Sequence, residues 1–207
     1  MIWGFFCYKK HMENDARKIV DFVNYAEKLK VELRHASKSD NQKESVADHS
    51  WRLALMAILV APHLKIKIDL LKLLKMATVH DLVEIESRDV PVLEHIDNKS
   101  AHRHKEVAEK TAMQKIKKML GSDGKEINNL WLEYEELKTN EARVLKSLDR
   151  FEGEFQFLTE TVTTFTQKEQ RVIDILIKET TELAKIDPFL EKIDEISMEE
   201  RKNRIKP

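Results

Sequence analysis

Apolar residues recur every three to four positions through most of this chain, the period of a helix with one buried face. Residues about 14–33 carry Ile19, Phe22, Val23, Ala26 and Leu29 on one side. A second helix over about 45–61 runs Val46, His49, Leu53, Ala57 and Val60 along its stripe and stops at Pro62. A third covers about 69–85, with Leu70, Leu73, Leu74 and Ala77 in register. A fourth spans 101–120 with Gly121 as its cap, and a fifth lies over about 125–137. Thr139 or Asn140 caps a sixth, with Leu145, Leu148, Phe151, Phe155, Leu158, Val162 and Phe165 as its stripe. A seventh over about 168–185 is broken by Asp187-Pro188, and Ser197 with Glu200 reads as the capping box of a short last helix. No segment sustains the period-2 alternation of a half-buried strand. The predicted fold class is all-α, a compact multi-helix bundle.

Polar breaks are short, and no repeat or linker divides the chain. It reads as one domain over residues 15–207 behind an N-terminal extension, 1–14. The apolar run Ile2–Tyr8 lacks the basic flank and small-residue cleavage site of a secretory signal, and reads as a packed strap or as sequence ahead of a start at Met12. With 4 Gly and 4 Pro in 207 residues, breakers are few, which suits long helices. The 36 Lys+Arg against 37 Asp+Glu leave no basic excess for general nucleic-acid binding. No run approaches the ~20 apolar residues of a membrane span. The lone Cys7 excludes an internal disulfide framework and a zinc–cysteine cluster. A cytoplasmic protein is the default reading.

The chemistry shows where polar residues occupy core stripes. His49 takes a buried position in the second helix, and His80, Asp81 and Glu84 follow Ala77 on the inward face of the third. An inward carboxylate without a partner costs several kcal/mol, so it pairs, neutralises or binds metal. A lone His49 is ordinarily a satisfied core residue, and an internal salt-bridge network is the bland alternative for the other three. Adjacent His and Asp diverge by about 100° on a helix, so both reach one ion only over the seam between them. Further ligands must then come from other helices, where His49 offers an imidazole and Asp149 a carboxylate at the edge of the sixth stripe. Imidazole with carboxylate suits one divalent ion such as Mn, Co, Fe, Ni or Zn.

Glu44-Ser-Val-Ala-Asp-His49, His80-Asp81-Leu-Val-Glu84 and Lys146-Ser-Leu-Asp149 resemble the ordered H…HD…D pattern of HD-domain metal-dependent phosphohydrolases. Asp89-Val-Pro91, Leu130-Trp-Leu-Glu-Tyr-Glu135 and Thr139-Asn-Glu-Ala-Arg143 extend the likeness to the YfbR-type 5'-deoxynucleotidase branch, over roughly residues 15–185. The resemblance implies that His49, His80, Asp81 and Asp149 bind the metal, within residues 34–149. It implies that Glu84 activates or positions the attacking water, that Asp89 supports it, and that Arg34 binds the substrate phosphate. The implied reaction takes a nucleoside 5'-monophosphate to nucleoside and phosphate, in a homodimer. An Arg fork suits phosphate, and Glu84 lies one turn after His80. Relatives often carry Trp at or just after the Arg, where it helps choose the sugar; Arg34-His35-Ala36 has none, which leaves the sugar preference open.

Arg34 also reads as a basic residue near a helix C-terminus, and Asp89 as a surface partner of Arg88. Arg52 is a weaker phosphate candidate. His11, His63, His95, His102 and His104 read as surface residues, and Trp51 and Trp131 as packing. Two rival functions remain: an HD hydrolase of nucleoside di- or triphosphates or cyclic nucleotides, and a catalytically silent nucleotide-binding scaffold.

Overall fold

The structure, a computed structural model, describes residues 2–96, 98–159 and 166–204, with side chains from residue 12 onward except at position 95. Its helices are α1 (Ile2–Ala26), α2 (Val46–Val60), α3 (Leu70–Val79), α4 (Glu84–Ser87), α5 (Val92–His95), α6 (Lys99–Leu120), α7 (Gly124–Glu136), α8 (Asn140–Thr159), α9 (Gln167–Ala184) and α10 (Pro188–Arg204). Short 3-10 turns follow α1 and α2.

The second helix meets its expectation in full: Val46, His49, Leu53, Ala57 and Val60 are all buried. Ser45 caps it in a reciprocal box with Asp48, satisfying two orphan backbone donors of the helix that carries His49. Thr139 caps α8, and Gly121 closes α6 at a positive φ of 63°. Gly124 opens α7 so close to α6 that a Cβ there would lie 2.7 Å from the Lys117 backbone. That contact sets the tight α6–α7 reversal.

Several expectations fail for identifiable reasons. The third helix is not continuous: α3 ends at Val79, and α4 begins at Glu84. Between them the N–H groups of Leu82, Glu84 and Ile85 bond three residues back, to Val79, Asp81 and Leu82, in place of four. This tighter winding re-aims His80, Asp81 and Glu84 relative to an ideal helix. The first helix ends at Ala26 and buries Phe22, the 3-10 turn after it buries Leu29, and Ile19 and Val23 are exposed. Residues after it form a small antiparallel hairpin, β1 (Leu33–Ser37) with β2 (Lys43–Ser45), reversed through Asn41 at φ 66°. Arg34 therefore sits on a strand and not at a helix end. The last helix starts at Pro188, so Ser197 is a buried interior residue and no cap. Trp131 is buried as expected, but Trp51 is 68% exposed. Leu145, Leu148, Phe151 and Leu158 are buried in α8, whereas Val162 and Phe165 lie outside the described residues.

The buried apolar side chains form two clusters. One joins α2, α3, α7, α8, α9 and α10 around Leu53, Leu73, Met76, Leu145, Leu148, Phe151 and Leu190. The other joins α1, α2, α6, α7 and the turn before α4 around Val46, Val83, Met113, Ile116 and Trp131. His49 falls in sequence between Val46 of one and Leu53 of the other, and His80 between Ala77 and Leu82. The inward polar residues thus occupy the seam between two cores.

Asp187 fastens the α9–α10 corner to the segment after α2. Fully buried, its carboxylate accepts from the backbone N–H of Lys65 (2.6 Å), Ile66 (2.9 Å) and Phe189 (2.9 Å). Asp187→Ala strands these donors and is expected to cost about 3 kcal/mol in chemical denaturation. A loss below ~1 kcal/mol would mean that water replaces the carboxylate without penalty.

Candidate metal centre

His49 on α2 and His80 just beyond α3 are both fully shielded from solvent, with ring centroids 5.5 Å apart. Each ring is anchored through Nδ1. His49 Nδ1 lies 2.5 Å from Glu152 Oε2, and His80 Nδ1 lies 3.0 Å from the Ala77 carbonyl oxygen. Both partners accept, so the ring hydrogen belongs on Nδ1 and the lone pair on Nε2. Both Nε2 atoms are buried, and among the described residues no donor meets either lone pair of the neutral rings.

Carboxylates face those nitrogens. Asp81 Oδ2 is 3.2 Å from His80 Nε2 and 3.6 Å from His49 Nε2, and Asp149 Oδ1 is 3.3 Å from His49 Nε2. His49, His80 and Asp81 offer ligand atoms within 4.8 Å of one another. The lone pairs of His49, His80 and Asp81 converge, with Asp149 against His49, and such a set calls for a cation in its midst. In the protein alone a proton meets that demand. Burial and the Arg34 charge oppose protonation of His49, but hydrogen bonds to Asp149 and Glu152 outweigh them and push its pKa up to about 10. Burial likewise opposes ionisation of Asp81 and Asp149, yet His80 and His49 hold the first, and Lys146 and His49 the second, below the usual carboxylate range. The donor set fits a borderline divalent ion, which would replace that proton.

A second acidic group, Glu44 and Glu152 with His49, also clusters tightly. Its charge is met by protein cations. Arg52 donates through Nε to Glu152 Oε1 (2.7 Å) and through Nη2 to the Glu152 carbonyl (2.8 Å), and Arg34 Nε lies 3.3 Å from Glu44 Oε2. Glu152 meets His49 through Nδ1, the ring nitrogen opposite the Asp81 and Asp149 carboxylates, so this group braces the site from behind.

The remaining expected residues gather around the same point. Arg34 reaches in from β1, with Nη1 3.6 Å from Asp81 Oδ2. Its neighbour His35 is exposed, because side chains alternate across a strand. Glu84 is buried with Oε2 unpaired, and burial, then the Asp81 and Asp89 charges, raise its pKa well above the ordinary value. Asp89 is half-buried, and burial, offset by Arg34 and reinforced by Asp81, raises its pKa too. Arg88 pairs with Glu32 at 2.6 Å and not with Asp89, whose backbone N–H also donates to Glu32.

Four contributors escaped the sequence reading. Glu152 orients His49 and is held ionised against its burial by His49 and Arg52. Tyr134 and Lys146 both contact Asp149, and Lys105 on α6 lies within electrostatic reach of Glu84 and Asp81. Glu152 carried a usable signal, an acidic residue one helical position past Phe151 on a core stripe; Lys105 carried none. Of the other histidines, His63 stacks on Phe189 at the surface, and His102 and His104 are exposed. The side chains of His11 and His95 lie outside the described residues.

A family model described as HD domain matches residues 26–188. The 5'-deoxynucleotidase HDDC2 of Dictyostelium discoideum is 40% identical over 115 residues, covering 53% of this chain and 58% of that protein. The human 5'-deoxynucleotidase HDDC2 is 31% identical over 140 residues, covering 66% of this chain and 65% of that one. The alignments therefore span less than two thirds of these curated relatives. The crystal structure of a predicted metal-dependent phosphohydrolase from Magnetospirillum magnetotacticum superposes with a TM-score of 0.76 at 26% identity, over 93% of this chain and 96% of that one. With the paired histidines and aspartates seated between two helical cores, and the family match running from the end of α1 to the start of α10, the chain belongs to the HD-domain family.

Proposed function

We propose that the protein hydrolyses nucleoside 5'-monophosphates to nucleoside and phosphate. In this reading His49, His80, Asp81 and Asp149 hold one divalent transition metal, Mn, Co, Fe, Ni or Zn. The observation that carries it is the pair of buried Nε2 atoms beside the Asp81 and Asp149 carboxylates, with the Arg34 guanidinium at their edge. The relatives named 5'-deoxynucleotidases support the substrate class. Such an ion supplies Lewis-acid stabilisation of phosphate charge and activates water for attack.

The chain's own residues do the rest. Arg34 presents a planar donor fork to the phosphate, and Glu44 steadies it from the paired strand. Glu84 takes a proton from water as the water oxygen adds to phosphorus, and the 5' oxygen takes up a proton as its bond to phosphorus breaks, which leaves nucleoside, phosphate and an ionised Glu84. Asp89 lies beside it and tunes its basicity. A longer phosphate chain would call for more free cations. Arg52 is spent on Glu152, Lys75 on Glu126 and Arg88 on Glu32, which favours a monophosphate over di- and triphosphates. The unpaired Glu84 disfavours a silent scaffold. We further read residues 15–207 as the working domain behind the 1–14 extension, in a cytoplasmic protein. No helix among the described residues is long and apolar enough to cross a membrane. The homodimer implied by the family likeness would find an apolar face on α2, where Trp51, Leu55, Ile58 and Leu59 are exposed.

A panel of nucleotides assayed for phosphate release tests the reading. Monophosphates should be cleaved, chelator should abolish cleavage, and Mn or Co should restore it; release only from triphosphates would refute the assignment. Asp81→Ala should lose metal and activity together. Glu84→Ala should keep its metal, with kcat down ~10²–10⁴-fold and KM little changed. Elemental analysis beside kcat on one preparation decides, since loss of metal from Glu84→Ala would make Glu84 a ligand.

A pH profile examines Asp89. A general base must be ionised, so kcat should fall as pH drops through the raised Glu84 value, above the ~4.3 of a free glutamate. Asp89→Asn removes a like charge, lowers the Glu84 pKa and should shift the acid limb to lower pH. An unmoved limb would exclude Asp89 as the tuning group.

A further inference from the structure

Tyr134 and Lys146 engage the outer oxygen of Asp149 and leave the inner one facing His49. The Tyr134 hydroxyl donates to Asp149 Oδ2 at 2.7 Å, and Lys146 Nζ donates to the same atom at 3.2 Å and to the Tyr134 oxygen at 2.9 Å. Tyr134 is buried, its ring meets His80 edge-on at 5.2 Å, and Lys146 Nζ sits 4.7 Å from the ring centroid. A carboxylate oxygen has two in-plane lone pairs, and two donors occupy both on Oδ2. Asp149 Oδ1, 3.3 Å from His49 Nε2, receives no donor of this kind and points to the cluster.

We propose that Tyr134 and Lys146 are positioning residues that hold Asp149 as a one-oxygen ligand. Resting on the metal-centre reading, the proposal deepens it. A carboxylate free to turn can offer both oxygens to a cation, taking a coordination position that substrate or water needs. The clamp removes that option by committing Oδ2 elsewhere. Its cation also drains charge from the ligand, so the centre stays more electrophilic than four unbraced ligands would leave it. Lys146 reaches Oδ2 from one turn earlier on α8, and Tyr134 reaches across from α7. The pair therefore also fixes where α7 and α8 meet at the site. The string Leu130–Glu135, which the chemistry above leaves without a role, supplies one half of the clamp.

The test is Co(II) titration of metal-free protein, read by calorimetry and by visible absorption, for the natural chain, Tyr134→Phe, Lys146→Met and Lys146→Arg. Tyr134→Phe keeps the ring against His80 and removes only the donor. It should change the Co(II) dissociation constant by on the order of tenfold or more. It should also weaken the visible bands, because higher-coordinate cobalt absorbs less. Lys146→Met, at a partly exposed position, should shift both readouts in the same sense with native thermal stability, and Lys146→Arg should restore them. If both Tyr134→Phe and Lys146→Met match the natural protein in affinity and spectrum, the clamp is overturned while the metal centre stands. If the natural chain itself takes up no Co(II), the metal-centre reading fails and the clamp with it.

Discussion

Two imidazole nitrogens and two carboxylates meet inside this protein around a place that a proton or another cation must fill, and the surrounding side chains answer to that demand. Three of the four groups are held by their far side. Glu152 takes the Nδ1 hydrogen of His49, the Ala77 carbonyl takes that of His80, and Tyr134 with Lys146 takes the outer oxygen of Asp149. Such bracing is needed because buried like-charged groups rotate apart unless their alternatives are closed. It works because the site lies between two apolar clusters, where neither core must be broken to admit polar groups.

Charge is arranged in shells around this centre. The acidic residues Asp81, Asp149, Glu84, Asp89, Glu44 and Glu152 are interleaved with Arg34, Arg52, Lys105 and Lys146, several of them in direct ion pairs. The pairs differ in geometry. Arg52 is doubly tied to Glu152, whereas Arg34 makes longer contacts, 3.3 Å to Glu44 and 3.6 Å to Asp81.

The local winding after α3 ties backbone to chemistry. On an ideal helix, His80 and Asp81 would diverge by about 100° and meet one ion only over their seam. Three-residue hydrogen bonding from Val79 onward tightens the turn. With that winding, the Asp81 carboxylate reaches both Nε2 atoms while Glu84 stays buried beside them. The hairpin serves a similar end on the other side, since a strand directs Arg34 inward while His35 turns to solvent.

The sequence by itself determined that the chain is helical, which face of the second helix is buried, and which polar residues intrude on the core. The stripe through Val46, His49, Leu53, Ala57 and Val60 and the His80-Asp81 pair were legible because helical periodicity is a local property, and because an inward charge among apolar neighbours has few explanations. The chain ends of α1 and α10, the hairpin and the break after Val79 were not legible, since short elements carry weak periodicity and packing decides between competing local choices. Trp51 shows the same limit: spacing places it near a core stripe, but only the neighbouring helices settle that its side is left uncovered. Tertiary structure alone decided the partners. Glu152 with Arg52 lies about a hundred positions away along the chain, and Tyr134 with Asp149 joins two helices across a turn. No local pattern encodes such pairings, because they depend on where separately folded helices cross, and a buried donor and acceptor must find each other there or leave both unpaired.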